Sequence, residues 1–400
     1  MKINRWFTVL TAWILIFFSA ASTIFSVFSG AYGEVFGWEA SKVNLGFTIY
    51  IINLGIFGIL GGVYIDKKKA APMLYVGGMI FASGFLLSGF VTEIWQFYLT
   101  FGVMGGLGAG LIYNPSFITA LRHFPDKKGL VSGLLLGAAA LGPFLLAPFV
   151  KGLLGSSPYS ISAIRSTFLI LGIVFLVGVL SLTWMMKTVS KPRIEIEHPN
   201  EMNYKQMLKK PFFWLLFIVF AAAGTAGNMM ISSIAKIAEN QYLLTGFLLS
   251  IVVSVSTLSN FIGRQTFGLI LDKIGYYKGL TISLIGTIIA LLLLAQSNTP
   301  VIFFIAVMLL GATFGAILVI FPSLTSYYFG MKNQGLNYGI MFLAYSVAGM
   351  IGPLVAGYFE DTTGSFRGAY YVGIAIAAVG LAITTGLAIY EQKYRSFQVK

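Results

Sequence analysis

Apolar residues in this chain come in long unbroken runs rather than in alternation or in narrow stripes. Twelve such runs, bounded by charge, proline or polar clusters, occupy about positions 5–32, 42–64, 72–90, 95–121, 129–150, 162–186, 211–235, 243–271, 279–296, 300–327, 337–359 and 368–390. A helix needs about 20 largely apolar residues to cross a hydrocarbon layer about 30 Å thick, so each run predicts a membrane-spanning helix. The first run follows Lys2 and Arg5, but at about 28 residues it exceeds the apolar stretch of a signal peptide, and it is read as the first span.

Composition agrees with that pattern. Of 400 residues, 57% are apolar and 10% are Asp, Glu, Lys or Arg, against roughly 25% charged in a soluble domain. The net charge of +13 would suggest nucleic-acid binding in a soluble protein. Here topology accounts for it. With the N-terminus inside, twenty of the 26 Lys and Arg fall in inner loops and tails, and five (Lys42, Lys151, Arg165, Lys236, Arg367) fall outside. That asymmetry predicts both termini in the cytoplasm. The absence of cysteine excludes disulfides, thiolate metal sites and Cys nucleophiles.

The longest inner connection, 187–210, gathers the mid-chain glutamates between Pro192 and Pro211 and reads as a solvated linker between two six-helix halves, 1–186 and 211–400. The halves carry matching landmarks. Gly62-x-x-x-Asp66-Lys67 recurs as Gly268-x-x-x-Asp272-Lys273, Pro115-Ser116 as Pro322-Ser323, Gly129-Leu130 as Gly335-Leu336 and Gly142-Pro143 as Gly352-Pro353, at offsets of 206 to 210. Two parallel six-helix repeats are the architecture of the major facilitator type, which places a substrate site between the halves near mid-membrane. The expected fold is therefore an all-α membrane protein of 12 transmembrane helices.

Several motifs reduce to packing. The glycine cluster Gly102, Gly105, Gly106, Gly108 and Gly110 lies inside an apolar run with no strand before it, so it predicts close helix contact rather than a dinucleotide site. No Gly-Lys pair occurs, which excludes a Walker A loop and an intrinsic ATPase. Neither a His-rich tract nor a carboxylate cluster offers a metal site, and no cofactor or enzymatic activity is expected; His123 and His198 read as solvated loop residues. The segment Gly268 to Gly275 sets Asp272 and Lys273 on a tight turn at a helix end. It resembles the signature loop of major facilitators, in which the acid latches one conformation, and Asp66 is its first-repeat copy.

Arg264 stands apart. It lies in the eighth run, eight residues before Asp272, or about 12 Å along a helix axis at 1.5 Å per residue. A charge at that depth costs roughly 3 kcal/mol or more, which marks a functional site. All 13 acids read as boundary or loop residues, so the sequence offers this arginine no carboxylate within the spans. A planar, permanently charged donor in that setting suits a substrate carboxylate held in two-point contact. Ser22, Thr23, Tyr113, Asn114, Asn260 and Tyr345 are polar candidates to complete the site, and Phe314 and Phe342 are candidate apolar walls.

These residues, and three neighbouring stretches, carry a family likeness. Tyr113 through Arg122-His123-Phe124-Pro125-Asp126-Lys127-Lys128-Gly129, Met207 through Trp214, Arg264 through Lys278 and Asn337-Tyr338-Gly339 resemble the oxalate/formate antiporter family of major facilitators along essentially the whole chain. The resemblance implies carboxylate transport with Arg264 as the anion-binding group and Tyr113 in the pore. The oxalate carrier pairs this arginine with a lysine in the eleventh span, where this chain has Tyr345. A dianion facing one cation would leave a charge uncompensated, whereas a monoanion would be balanced. Monocarboxylate transporters, also similar, use an arginine in the eighth span with an aspartate one turn earlier, where this chain has Asn260.

The sequence thus predicts a prokaryotic inner-membrane carrier, monomeric, moving a small monocarboxylate of the lactate, pyruvate, acetate or formate type. Proton symport by alternating access is the favoured mode and carboxylate exchange the alternative.

Overall fold

The computed structural model describes residues 5–66, 70–155, 159–188, 201–296 and 299–398; much of the expected linker, with His198, lies outside them. Every regular element among the described residues is helical. In hydrocarbon no water satisfies backbone N–H and C=O groups, and the helix pairs them within one segment.

In chain order the helices are α1 (Arg5–Ser19), α2 (Phe25–Phe36), α3 (Ala40–Asp66), α4 (Ala70–Ser88), α5 (Ile94–Phe97), α6 (Gly106–Arg122), α7 (Lys128–Leu154), α8 (Ile161–Thr188), α9 (Tyr204–Leu208), α10 (Pro211–Asn240), α11 (Gly246–Ile274), α12 (Tyr276–Gln296), α13 (Pro300–Phe329), α14 (Gln334–Thr363) and α15 (Arg367–Gln398). Among the described residues nine helices are long and apolar enough to cross a membrane. Of the other three predicted runs, two are interrupted and one forms a continuous helix. The first is divided by a 3₁₀ turn, Ala20–Ile24, between α1 and α2, and the fourth by a π-helical stretch, Tyr98–Gly105, between α5 and α6. The eighth forms the 29-residue α11, Gly246–Ile274, which carries Asn260 and Arg264. Large apolar side chains stay exposed on single faces, as Ile173, Val177 and Trp184 do on α8. Such faces suit lipid rather than water.

The chain divides into two compact units. Unit 1 comprises 1–126, 134–201 and 329–339, and unit 2 comprises 127–133, 202–328 and 340–400. α7 therefore begins in unit 2 and continues in unit 1, while α14 begins in unit 1 and continues in unit 2.

Within unit 1, glycines let helices touch. A methyl on Gly108 of α6 would overlap Phe81 of α4, and one on Gly110 would meet Leu54 and Gly58 of α3. This is the small-residue packing expected where lipid supplies no hydrophobic drive between helices. Phe28, Phe81, Phe85, Phe168 and Phe175 fill the remaining interior. Within unit 2, Tyr242, Leu291, Phe303, Val307 and Tyr370 form a buried cluster joining α12, α13 and α15 to the loop after α10. Tyr242 and Tyr370 are bonded to the Leu294 carbonyl and the Gln241 amide oxygen respectively.

Candidate functional site

In unit 2, α11 and α13 approach backbone to backbone. A methyl on Gly311 would meet the Ser256 carbonyl and the Asn260 nitrogen, and one on Gly263 would overlap Ala312. A methyl on Gly315 would overlap the Asn260 carbonyl and lie 3.2 Å from Arg264 Cγ. Asn260 and Arg264 are consequently buried, at 7% and 9% exposure, with the arginine stem lying on the bare backbone of α13.

Three of the expected residues gather beside them. The Tyr345 ring stacks on Phe342 at 5.0 Å and on Phe314 at 6.1 Å, and lies 6.3 Å from Phe220, which itself stacks on Phe321 at 4.0 Å. Phe314 rests on Gly227 of α10, where a side chain would collide with its ring. Tyr345 lies within electrostatic range of Arg264. A cation, a phenol and an aromatic wall thus occur together in unit 2, the chemistry that holds a small anion with an apolar side.

Unit 1 holds the other candidates. Tyr113 is half-buried, with its ring 6.4 Å from Phe117. Asn114 is 5% exposed, and its amide nitrogen donates to the Gly58 carbonyl at 2.7 Å and the Gly335 carbonyl at 3.2 Å. Ser22 and Thr23 sit in the 3₁₀ turn, and their side chains lie outside the described residues.

The two acids of the repeated motif do equivalent things. Asp66, ending α3, accepts the backbone N–H groups of Gly335 and Leu336 at 3.0 and 2.9 Å. Asp272, near the end of α11, accepts those of Gly129 and Leu130 at 2.9 and 3.2 Å. Each carboxylate thereby caps the first turn of another helix, where N–H groups lack partners within the helix and the dipole favours negative charge. Above each cap, glycines bring the backbones into contact, Gly62 against Gly335 and Gly268 against Gly129 and Gly133. Lys273 is exposed.

The sequence reading missed two residues of the Asp66 cap. Arg122, at an inner-side helix end by sequence, is 6% exposed. It forms an ion pair with Asp66 and donates to the carbonyls of Ile65 at 2.9 Å, Met331 at 3.3 Å and Lys332 at 3.0 Å. Arg264 is thus accompanied by a second buried arginine. Glu201 accepts the N–H groups of Met331 and Lys332 at 3.1 and 3.0 Å. Gly330 between the helices has φ of 79° and would collide with Glu201 if it bore a side chain, so two constraints require glycine there. His123, expected to be solvated, is half-buried with Nδ1 2.8 Å from the Thr119 carbonyl. Among the described residues no group of acids, histidines or cysteines could hold a metal.

Comparison with known proteins agrees with this architecture. The chain is 26% identical over 352 residues to the oxalate:formate antiporter of Oxalobacter formigenes, covering 87% of this chain and 83% of that one. It is 26% identical over 402 residues to monocarboxylate transporter 13 of Rattus norvegicus, covering 95% and 88%. Among solved structures, a Major Facilitator Superfamily transporter, FucP, in the outward conformation superposes with a TM-score of 0.74 at 15% identity, over 95% of this chain and 97% of that one. The sequence profile of the Major Facilitator Superfamily matches residues 11–264 and 225–398. The chain is a multi-pass membrane protein of the transporter class and belongs to the Major Facilitator Superfamily.

Proposed function

We propose that the protein carries a small monocarboxylate, of the lactate, pyruvate, acetate or formate type, by alternating access. The observation that carries this reading is Arg264, buried on α11 against Gly315 of α13, in the same unit as Tyr345 and its ring cluster of Phe314, Phe342 and Phe220. One guanidinium matches one carboxylate in charge and in planar two-point geometry. The aromatic rings suit a short apolar substituent. Tyr345 stands where the resemblance expects a second cation for oxalate, which favours a monoanion over a dianion. The similar antiporter and monocarboxylate transporter support the substrate class.

In this reading the anion docks on Arg264 and balances its charge in the occluded state. Tyr345, Tyr113, Asn260, Ser22 and Thr23 supply polar contacts. Substrate plus proton is electroneutral, which favours symport; exchange of one carboxylate for another is the second reading, supported by the similarity to an antiporter. Asp66 and Asp272, with Lys273 beside the latter, act as conformational latches through the helix caps they make. The carrier works as a monomer in the inner membrane of a prokaryotic cell, with both termini and the 187–210 linker on the cytoplasmic side. Purified protein should gain thermal stability with formate, acetate, lactate or pyruvate and not with oxalate or malonate, across pH 5 to 8. Stabilisation by the dicarboxylates alone would overturn the assignment.

A further inference from the structure

Two carboxamides make equivalent contacts that the helix caps alone do not require. In unit 1 the Asn114 side chain donates to the Gly335 carbonyl at 3.2 Å. In unit 2 the Gln265 side chain donates to the Gly133 carbonyl at 3.0 Å. Gly335 opens α14 and Gly133 lies in the first turns of α7, so each carboxamide grips a helix whose N–H groups an aspartate already caps. Those two helix starts are also the segments assigned to one unit while the rest of the helix belongs to the other.

The position of each carboxamide in the chain adds a second regularity. Asn114 directly follows Tyr113, and Gln265 directly follows Arg264. In both units the residue next to a substrate candidate is a clasp on the carbonyl side of a helix start. Around Gln265 the coupling is tight, because a methyl on Gly133 would overlap the Arg264 carbonyl. Around Asn114 the second amide hydrogen ties Gly58 of α3 at 2.7 Å, and the buried Oδ1 has no bonding partner among the described residues. The Gly335 carbonyl cannot move away from Asn114 without leaving a buried amide hydrogen unsatisfied, and the Gly133 carbonyl cannot move without breaking the half-buried bond from Gln265.

We infer that Asn114 and Gln265 are positioning residues, a pair of carboxamide clasps that tie the turns bearing Tyr113 and Arg264 to the first turns of α14 and α7. The aspartates hold the N–H side of each helix start and the carboxamides hold the C=O side. A shift of either substrate-bearing turn is then transmitted to the helix start by one hydrogen bond. The link to transport rests on the function proposed above; the clasp itself does not.

The cysteine-free chain permits a direct test. Single reporters, Leu336→Cys for the α14 start and Leu130→Cys for the α7 start, are placed in the full-length protein and labelled with a maleimide without any carboxylate present. Asn114→Leu should accelerate labelling of the Leu336→Cys reporter, and Gln265→Met that of the Leu130→Cys reporter, by about fivefold, the shift expected from losing one ordinary hydrogen bond. In proteoliposomes the maximal transport rate should fall in both. Where a variant does not insert, Asn114→Ala or Gln265→Ala makes the same comparison. Unchanged labelling overturns the inference. So does unchanged labelling with a loss of carboxylate affinity equal to that of Arg264→Lys, which would make the side chain a ligand contact. Failure of every tested carboxylate to bind or move would instead count against the substrate assignment and leave the labelling result standing on its own.

Discussion

Asp66 holds Gly335 by its backbone N–H at 3.0 Å, and Asp272, 206 positions after Asp66, holds Gly129, 206 positions before Gly335, by its N–H at 2.9 Å. The two caps differ in burial. Asp66 is paired with Arg122, with side chains 9% and 7% exposed, whereas Asp272 is exposed. At the offset of the repeat the counterpart of Arg122 is Tyr328, which bonds Glu391 instead.

That asymmetry predicts unequal mutants. Asp66→Asn strands a buried guanidinium, a change costing about 3–5 kcal/mol, while Asp272→Asn weakens a solvated cap worth about 1 kcal/mol. Thermal unfolding in detergent should therefore show a much larger loss for Asp66→Asn, and Asp66→Asn with Arg122→Met should recover part of it. Equal losses for the two single variants would contradict the distinction.

The α11–α13 crossing predicts a steric control. Gly315→Ala places a methyl against the Asn260 carbonyl and beside the Arg264 stem, whereas Gly357→Ala meets nothing within 4 Å. Uptake normalised to folded protein should fall at least about tenfold in Gly315→Ala, about 1.4 kcal/mol, and stay near wild type in Gly357→Ala.

Charge at position 345 should select the valence of the substrate. Tyr345→Lys adds a second cation within reach of Arg264 and should move preference from monocarboxylate toward oxalate by about tenfold or more, read as competition against labelled formate. A variant that still rejects oxalate would show that the missing lysine does not explain the preference.

Much of this was legible in the sequence because it rests on one-dimensional patterns. Apolar run length marks the nine helices long and apolar enough to span among the described residues, and the repeated Gly-x-x-x-Asp marks both capping acids. Arg264 stood out as a charge inside an apolar run. Other features depend on direction rather than pattern. Arg122 ends α6, so its burial depends on the neighbouring α3 end and the 331–332 turn, which sequence position does not reveal. Asn114 was expected in the substrate site on polarity and depth alone, yet both of its amide hydrogens point to backbone carbonyls. Gln265 gave no signal beside the stronger charge of Arg264. The 3₁₀ and π interruptions in the first and fourth runs leave hydropathy unchanged and so leave no trace in it.

The most direct test of carboxylate docking on Arg264 is saturable counterflow of labelled formate or lactate in proteoliposomes containing wild-type protein or Arg264→Lys. Lysine keeps the charge and loses the planar fork. The account predicts saturable counterflow by the wild type and a loss of about 100-fold or more in kcat/KM for the variant, corresponding to about 2.7 kcal/mol. Near-normal counterflow by Arg264→Lys would contradict it.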